Sequence, residues 1–151
     1  MPKTVIIDYG SGNLRSAAKA FEHASVEEVL VSNDPAALQD ASHIVLPGVG
    51  AFADCKAGLE AVPGMIAALE EQVIKQKKPF LGICVGMQLM ATRGLEHGET
   101  AGFNWIEGEV VEIKPAEATL KIPHMGWNAL EFGKGAHPVL QGFEAGVHAY
   151  F

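Results

Sequence analysis

Two glycines frame a single cysteine at the end of an apolar run in residues 79–90 (PFLGICVGMQLM). Gly82 and Gly86 lie two residues before and two residues after Cys84, and a helix-compatible run follows at once. A strand-to-helix turn of this kind forces its central residue into a strained conformation. Neighbouring chain segments then pass so close that a Cβ at either flank would clash. The pattern predicts a nucleophile elbow, and the alternative is a buried structural cysteine in a parallel strand.

The position of Cys84 also predicts a reactive thiol. A thiol at this turn sits over the N-terminus of the following helix, whose unpaired N–H groups and dipole favour the thiolate over the thiol. We therefore expect Cys84 to be the catalytic nucleophile. The other cysteine, Cys55, has no glycine frame and is interpreted as structural. Two cysteines, one of them at an elbow, are better explained as free thiols than as a disulfide framework.

A second glycine motif makes the first more specific. Residues 42–46 are predicted to form a short buried strand that stops at a Pro-Gly-Val-Gly turn. An acyl-transfer nucleophile needs N–H donors aimed at the oxyanion, and a glycine turn can supply them. The expected donors are the N–H of Val85 and the peptides of Gly48, Val49 and Gly50. Alone, the motif predicts only a turn; its place at a strand end, in a chain that carries an elbow, favours the oxyanion role.

Strands and helices alternate along the first half of the chain. The predicted order is a strand at 4–7, a helix at 14–21, a strand at 26–31, a short helix capped by residues 33–35, the strand at 42–46, and a helical region interrupted at 62–64 that resumes over 65–76. This alternation predicts an α/β fold of right-handed βαβ units, in which ligands bind at the carboxyl ends of strands. Residues 106–113 alternate apolar and charged side chains, so we expect antiparallel strands in the second half.

Four segments resemble one family. Residues 46–52 (LPGVGAF) and 82–88 (GICVGMQ) resemble the oxyanion strand and nucleophile elbow of class I (triad) glutamine amidotransferases. Residues 7–13 (IDYGSGN) and 121–128 (KIPHMGWN) are similar to the glutaminase subunits of imidazole glycerol phosphate synthases, the bipartite enzymes of histidine biosynthesis. The resemblance extends from about Lys3 to the end of the chain.

This resemblance implies a fold and an activity. The fold would be flavodoxin-like, with a mixed, mostly parallel sheet and helices on both faces, and residues 1–151 would be one glutaminase domain. The activity would be hydrolysis of glutamine through a thioester on Cys84. The released ammonia would pass to a (β/α)8 cyclase subunit that makes imidazole glycerol phosphate and AICAR, the two chains forming a heterodimer. No metal or organic cofactor is implied for this subunit.

The resemblance also implies binding residues. Gly86 and Gln88 would contact the substrate glutamine, Gln88 lying one helical turn beyond Cys84; a generic polar residue on a helix is the alternative for Gln88. The candidate contacts with the cyclase subunit are Asn13, Arg15, Pro123, His124 and Trp127.

The general base is not found by the sequence pattern. A Cys nucleophile needs a histidine to move the proton and a carboxylate to orient it. Of the six histidines, His148 is the candidate for this base. It lies on a strand-like segment that ends at Phe151. In the family the histidine follows just after such an aromatic pair, and the carboxylate comes later in a His-Pro-Glu segment, so His148 is not assigned to the triad. We expect the domain to lack its C-terminal part and to be inactive alone.

Composition narrows the class of protein. A net charge of −7 argues against nucleic acid as the main partner. No apolar run approaches the roughly 18 residues that span a bilayer, and the N-terminus lacks the pattern of a secretory signal, so we expect a cytoplasmic protein. Three alternatives stay open: a glutaminase subunit of a different synthase, a catalytically silent amidotransferase-like assembly protein, and an unrelated cysteine hydrolase.

Overall fold

A computed structural model describes residues 3–24, 28–117, 119–133, 135 and 137–151 of the chain. The chain divides into two compact units, Met1–Glu112 and Ile113–Phe151. Within the described residues, no helix has both the length and the apolar character that crossing a membrane requires. The interpretation of residues 1–151 as one domain stays a prediction.

A four-stranded parallel sheet forms the centre of the first unit. Its strands are β1 (Lys3–Ile7), β2 (Glu28–Ser32), β3 (His43–Gly48) and β4 (Phe80–Cys84), in the order β2-β1-β3-β4. The predicted α/β class with a mostly parallel sheet is thereby confirmed. From β1 the chain first adds β2 on one side of the sheet and then adds β3 and β4 on the other side. Open α/β sheets form their ligand crevice at such a point, here between β1 and β3.

The two central strands are buried on both faces. Val5, Ile6 and Ile7 of β1 are fully buried, as are Ile44 and Leu46 of β3. Successive residues of a strand point to opposite faces, so a continuous buried run means that other elements cover both faces of the sheet. The carboxyl ends of these strands therefore emerge from a sheet that is covered on both faces.

Two helices of the first unit begin at a residue whose side chain caps them. Asn13 Oδ1 accepts from the Ser16 N–H (3.4 Å) at the start of α1 (Leu14–Ala24), which is longer than predicted. Asp34 Oδ1 accepts from the Ala36 N–H (2.9 Å), as expected of a cap before the short 3₁₀ helix. The interrupted helical region is α2 (Phe52–Glu60), α3 (Met65–Leu69) and a π-helical turn (Glu70–Lys75).

Some predicted boundaries differ from the structure. Strand β3 begins at His43 and continues to Gly48, beyond the predicted end at residue 46. The predicted start of the second strand, Val26, lies outside the described residues. The helix after the elbow, α4 (Val85–Gln88), is a single turn, and the chain then forms β5 (Ala91–Gly94), a strand that the sequence analysis did not predict.

The strand predicted at 106–113 is shorter than expected, and its pairing corrects the sequence analysis. It is β7 (Ile106–Val110), and it runs parallel to β5, whereas β6 (Thr100–Ala101) is antiparallel to β5. The parallel pairing arises because the segment between β6 and β7 passes back to the residues just before β5, so that β7 starts beside the start of β5. The N–H groups of this segment bond there, from Phe103 to the Leu89 carbonyl (2.7 Å) and from Trp105 to the Met90 carbonyl (2.9 Å).

The second unit contains the antiparallel pair that was expected. Strand β8 (Trp127–Ala129) pairs with β9 (His148–Tyr150), and Trp127 lies opposite Tyr150. Their ring centroids are 5.7 Å apart in an edge-to-face arrangement, which is a favourable aromatic geometry.

Candidate active site

Cys84 is held in a strained backbone conformation between β4 and α4. Its φ is 55° and its ψ is −117°, a region that L-residues avoid at a cost of about 1–3 kcal/mol. The thiol is exposed, whereas Cys55 is fully buried. The junction therefore has the strained geometry predicted from the sequence, and it presents its thiol to solvent.

The two glycines that frame Cys84 are required by close backbone contacts. A Cβ on Gly82 would lie 2.5 Å from the Met87 Cα. A Cβ on Gly86 would lie 1.8 Å from the Leu46 carbonyl oxygen. Real Cβ atoms do not approach backbone atoms so closely. A side chain at position 82 would therefore displace the start of α4, and one at position 86 would displace the elbow from β3.

The glycine turn at residues 47–50 lies beside the elbow. Gly48 is the register partner of Cys84 in the parallel pair of β3 and β4. A Cβ on Gly48 would lie 2.8 Å from the Gly86 nitrogen and 2.8 Å from the Tyr9 hydroxyl oxygen. The structure thus brings together the ends of β1, β3 and β4, and with them the residues predicted as nucleophile and oxyanion donors.

The N–H groups expected to bind the oxyanion differ in whether they already have a hydrogen-bond partner. Val85 is the first residue of α4, and the first N–H groups of a helix have no partner within it. The Val49 N–H, by contrast, donates to Ser11 Oγ (3.2 Å). Gly50 has a φ of 88°. In this conformation Val85 suits the predicted role, and Val49 has its N–H engaged elsewhere.

Two residues that the sequence analysis did not connect with the site hold this turn. The Ser11 hydroxyl donates to the Val49 carbonyl (3.0 Å), and the Cys55 thiol donates to the same carbonyl (3.2 Å). Ser11 belongs to the segment IDYGSGN. Its position directly after β1, at the carboxyl edge of the sheet, is the sequence signal that could have placed it near the site. Cys55 had none, because its contact depends on how α2 leaves the turn.

Tyr9 also stabilises the turn at residues 47–50. Its side chain is buried, and its hydroxyl donates to the Pro47 carbonyl (2.8 Å). Burial raises the pKa of Tyr9 far above its ordinary value, and a hydrogen bond with Cys55 and the charges of Cys55 and Cys84 raise it further, against a lowering by Ser11. Tyr9 therefore stays neutral and donates its proton to the turn.

Glu96 ties the other end of the turn in place. Its Oε2 accepts from the Phe52 N–H (3.0 Å), the first residue of α2. A carboxylate at this position is favoured by the unpaired N–H groups and dipole of the helix start. The sequence analysis missed this contact, since the acidic residue comes from the loop after the unpredicted strand β5.

Gln88 ends α4 and is half-buried. It lines an open cleft of about 270 Å³ with residues of α4, β5 and β7, including Met87 and Ile106, and with Met90 between α4 and β5. Cys84 is not among the residues that line this cleft. The roles of Gln88 and Gly86 in substrate binding stay predictions.

Within the described part of the first unit, the hydrogen bonds and ion pairs that we describe do not identify a histidine base for Cys84. His43 begins β3, and since Gly48 at the far end of that strand is the partner of Cys84, His43 lies roughly 16 Å along the strand from the elbow. His148 is in β9 of the second unit. Among the described residues, no three His, Cys, Asp or Glu side chains are grouped to hold a metal ion.

The residues predicted to meet a partner have different surroundings. Asn13 caps α1, which gives it a structural role, while Arg15 is exposed on that helix. In the second unit the rings of His124 and Phe151 are 6.5 Å apart. Trp127 is 71% exposed despite its contact with Tyr150. Their part in an interface stays a prediction.

Comparison with known proteins gives one consistent result. The family model described as "Glutamine amidotransferase class-I" matches residues 5–149. The chain is similar to proteins named "Imidazole glycerol phosphate synthase subunit HisH" from two bacteria. It is 51% identical to that of Rhodospirillum rubrum over 154 aligned positions, covering 99% of this chain and 72% of the relative. It is 56% identical to that of Rhodopseudomonas palustris over 154 positions, covering 97% of this chain and 71% of the relative.

A solved structure agrees on the fold. The chain superposes on a protein described as "Crystal structure of glutamine amidotransferase" with a TM-score of 0.69 and 16% sequence identity. The match covers 97% of this chain and 69% of that protein. At this identity the likeness concerns the arrangement of strands and helices alone.

Proposed function

The chain belongs to the class I glutamine amidotransferase family, and from this premise we propose that it is the glutaminase subunit of an imidazole glycerol phosphate synthase in histidine biosynthesis. The observation that carries the proposal is the strained Cys84, exposed beside Gly48 at the carboxyl ends of two parallel strands. Relatives at 51% and 56% identity bear the name of a synthase subunit.

The proposed chemistry begins at the Cys84 thiolate. The sulfur attacks the side-chain carbonyl carbon of glutamine, and the carbonyl oxygen becomes an oxyanion. The Val85 N–H and a peptide N–H of the 47–50 turn stabilise this charge, a type of contact that typically contributes a factor of roughly 10²–10³ per donor. Collapse of the intermediate releases ammonia and leaves a thioester, which water hydrolyses to glutamate. The acid–base pair of this mechanism is not assigned to any of the six histidines.

The proposed partner is a (β/α)8 cyclase subunit that takes up the ammonia and makes imidazole glycerol phosphate and AICAR. The reaction of the cyclase subunit is classed as a lyase reaction. The word "subunit" in the relatives' names supports a heterodimer. Arg15 and Trp127 are exposed and available for the contact. We place the complex in the cytoplasm, where two free thiols stay reduced. No metal or organic cofactor takes part in this subunit.

The test combines covalent labelling with product release. A glutamine-derived chloroketone should label Cys84 in preference to Cys55, and excess glutamine should slow the labelling. Glutamate release in the presence of the cyclase subunit should disappear in Cys84→Ser and persist in Cys55→Ser, which keeps a hydrogen-bond donor toward Val49. Equal labelling of both thiols would contradict the mechanism. Tight binding of the cyclase subunit without labelling at Cys84 would favour a silent assembly protein instead.

A further inference from the structure

The loop between β5 and β6 is tied to β7 at both of its ends. At its start, the Leu95 N–H donates to the Val110 carbonyl (2.9 Å). At its end, Arg93 Nη1 donates to Glu99 Oε1 (3.2 Å). The same guanidinium donates from Nε to Glu109 Oε1 (2.7 Å) and contacts that oxygen through Nη2 as well. Glu109 and Val110 are neighbours in β7, so Arg93 completes the attachment of this loop to one strand.

The same loop holds the first residue of α2 in two ways. Glu96 Oε2 accepts from the Phe52 N–H (3.0 Å). A Cβ on Gly94, the last residue of β5, would lie 2.6 Å from Phe52 Cγ, so the buried ring of Phe52 packs directly on the backbone before the loop. The start of α2 is therefore fixed by a carboxylate and by backbone packing from the β5–β6 hairpin.

Without Arg93 the β5–β6 loop would lose the restraint at its far end. Gly98 has a φ of 118° and nothing within 4 Å of where its Cβ would be, so the loop contains a residue with wide backbone freedom. Glu99 and Glu109 are like charges that repel each other once the guanidinium is removed from between them. A single exposed ion pair contributes little, but a guanidinium shared by two carboxylates forms a network, in which such contacts count for more.

The start of α2 is close along the chain to the reacting groups. Ala51 alone separates Phe52 from the 47–50 turn. Gly48 of that turn is the register partner of Cys84. A misplacement of about 1 Å between reacting groups can lower a rate by roughly 10²-fold, even when its cause lies far from the chemistry. A side chain that fixes where α2 begins therefore influences the reaction at the elbow.

We propose that Arg93 is a positioning residue for the reaction at Cys84: it holds the β5–β6 loop so that Glu96 stays on the first N–H of α2. The inference rests on the proposed function and deepens it by adding a residue that acts through Glu96 and touches no reacting atom. The role is the static anchorage of α2, and it involves no change in the glycine turn.

The first measurement is hydrogen exchange at the Phe52 amide in the complex with the cyclase subunit. Glu96→Ala removes the acceptor, so exchange should accelerate by roughly three- to tenfold. Arg93→Gln should accelerate it by roughly two- to fivefold, the range of a surface ion-pair network. Glu96→Gln keeps an acceptor oxygen and should stay close to the unaltered chain. The matched control is Lys75→Gln, which removes an exposed ion pair with Glu71 (2.9 Å) and should leave the rate unchanged. An unchanged rate in Arg93→Gln would overturn the proposal.

The second measurement is a double-mutant cycle on kcat for glutamate release in the complex. Arg93→Gln should lower kcat by roughly three- to tenfold, less than a full 1 Å misplacement would. The same substitution should have little further effect in Glu96→Ala and its full effect in Glu96→Gln. An independent structural contribution of Arg93 would lower kcat by one factor in all three backgrounds, because independent effects add as free energies. That result would overturn the proposal.

A conservative variant sharpens the same cycle. Arg93→Lys retains the charge but lacks the planar fork that reaches two carboxylates at once. It should therefore recover only part of the kcat that Arg93→Gln loses, and the recovery should vanish in Glu96→Ala. Full recovery by lysine would show that the charge alone matters and would overturn the clamping role of the guanidinium.

The outcomes separate this inference from the function on which it rests. If the unaltered complex releases no glutamate, the proposed function fails, while the exchange rates at Phe52 still decide whether Arg93 acts through Glu96. If glutamate is released and Arg93→Gln changes neither kcat nor the exchange rate, the positioning role alone fails. Circular dichroism establishes that each variant is folded. Glu99→Gln, which removes one of the two carboxylates that Arg93 holds, provides the decision if Arg93→Gln is not folded.

Discussion

Gly48 and Cys84 are partners in the parallel register of β3 and β4, at the carboxyl ends of both strands. The pairing matters because these two residues carry the glycine turn and the elbow, which come from distant parts of the sequence. Only glycine fits at position 48, since a Cβ would lie 2.8 Å from the Gly86 nitrogen. The register of the two strands therefore sets the relative position of the turn and the elbow, and the backbone of the sheet positions the side chains of the candidate site.

Gly86→Ala should destabilise the protein severely. The added Cβ would lie 1.8 Å from the Leu46 carbonyl oxygen, so either the elbow or β3 must shift. We expect a loss of about 3 kcal/mol or more in the free energy of unfolding, measured with urea. The matched control is Gly133→Ala, where nothing lies within 4 Å of the added Cβ. Equal stability of the two variants would show that the contact between elbow and β3 is looser than the structure indicates.

Gly50→Pro should abolish glutamine hydrolysis in the complex while leaving partner binding intact. Proline fixes φ near −65°, and Gly50 has a φ of 88°, so the turn cannot keep its conformation. Loss of one oxyanion donor should lower kcat by roughly 10²–10³-fold. Glutamate release and binding of the cyclase subunit are measured on the same preparation. Undiminished turnover would show that the donors lie elsewhere.

Tyr9 predicts a loss of stability in alkali. Its pKa is raised in the folded state, so the folded protein keeps a proton that the unfolded chain releases near pH 10. The folded state then binds more protons than the unfolded state, and the free energy of unfolding must fall as the pH rises above about 10.

Tyr9→Phe should remove that alkaline fall and lower stability at neutral pH by about 1–2 kcal/mol, because the Pro47 carbonyl loses its donor. Urea unfolding at neutral and alkaline pH measures both effects. The same alkaline fall in Tyr9→Phe and in the unaltered chain would assign it to another group.

Trp127→Ala should weaken binding of the cyclase subunit. Tryptophan is enriched among the few interface residues whose truncation costs about 2 kcal/mol or more, a loss of roughly thirtyfold in affinity. Val139 is a suitable control in the same unit, since both side chains are 71% exposed. Calorimetric titration compares the two alanine variants with the unaltered chain. Equal affinities of Trp127→Ala and Val139→Ala would remove Trp127 from the interface.

The elbow and the glycine turn were predictable because each is a local pattern. The spacing of Gly82, Cys84 and Gly86 encodes a strand, a sharp turn and a close approach, and the structure shows all three. The juxtaposition of the two motifs also followed from the sequence, since parallel strands end at the same edge of a sheet.

The contacts around Val49 were not predictable in the same way. Ser11 and Cys55 meet that residue through side-chain hydrogen bonds whose geometry depends on the loop after β1 and on the start of α2. No spacing in the sequence encodes them. Strand β5 was missed for a different reason: short apolar runs such as the one after Gly86 fit both a helix and a strand, and here the helix ends after one turn.

The position of β4 has a consequence for handling the protein. Among the described strands, β4 pairs only with β3 and is the last strand of its sheet. Leu81 and Ile83 on this strand are exposed, at 49% and 37%. A terminal strand with accessible apolar side chains and unsatisfied backbone groups is a template for pairing with another chain. Concentrated solutions should therefore be prone to edge-to-edge association that begins at the very strand that carries Cys84.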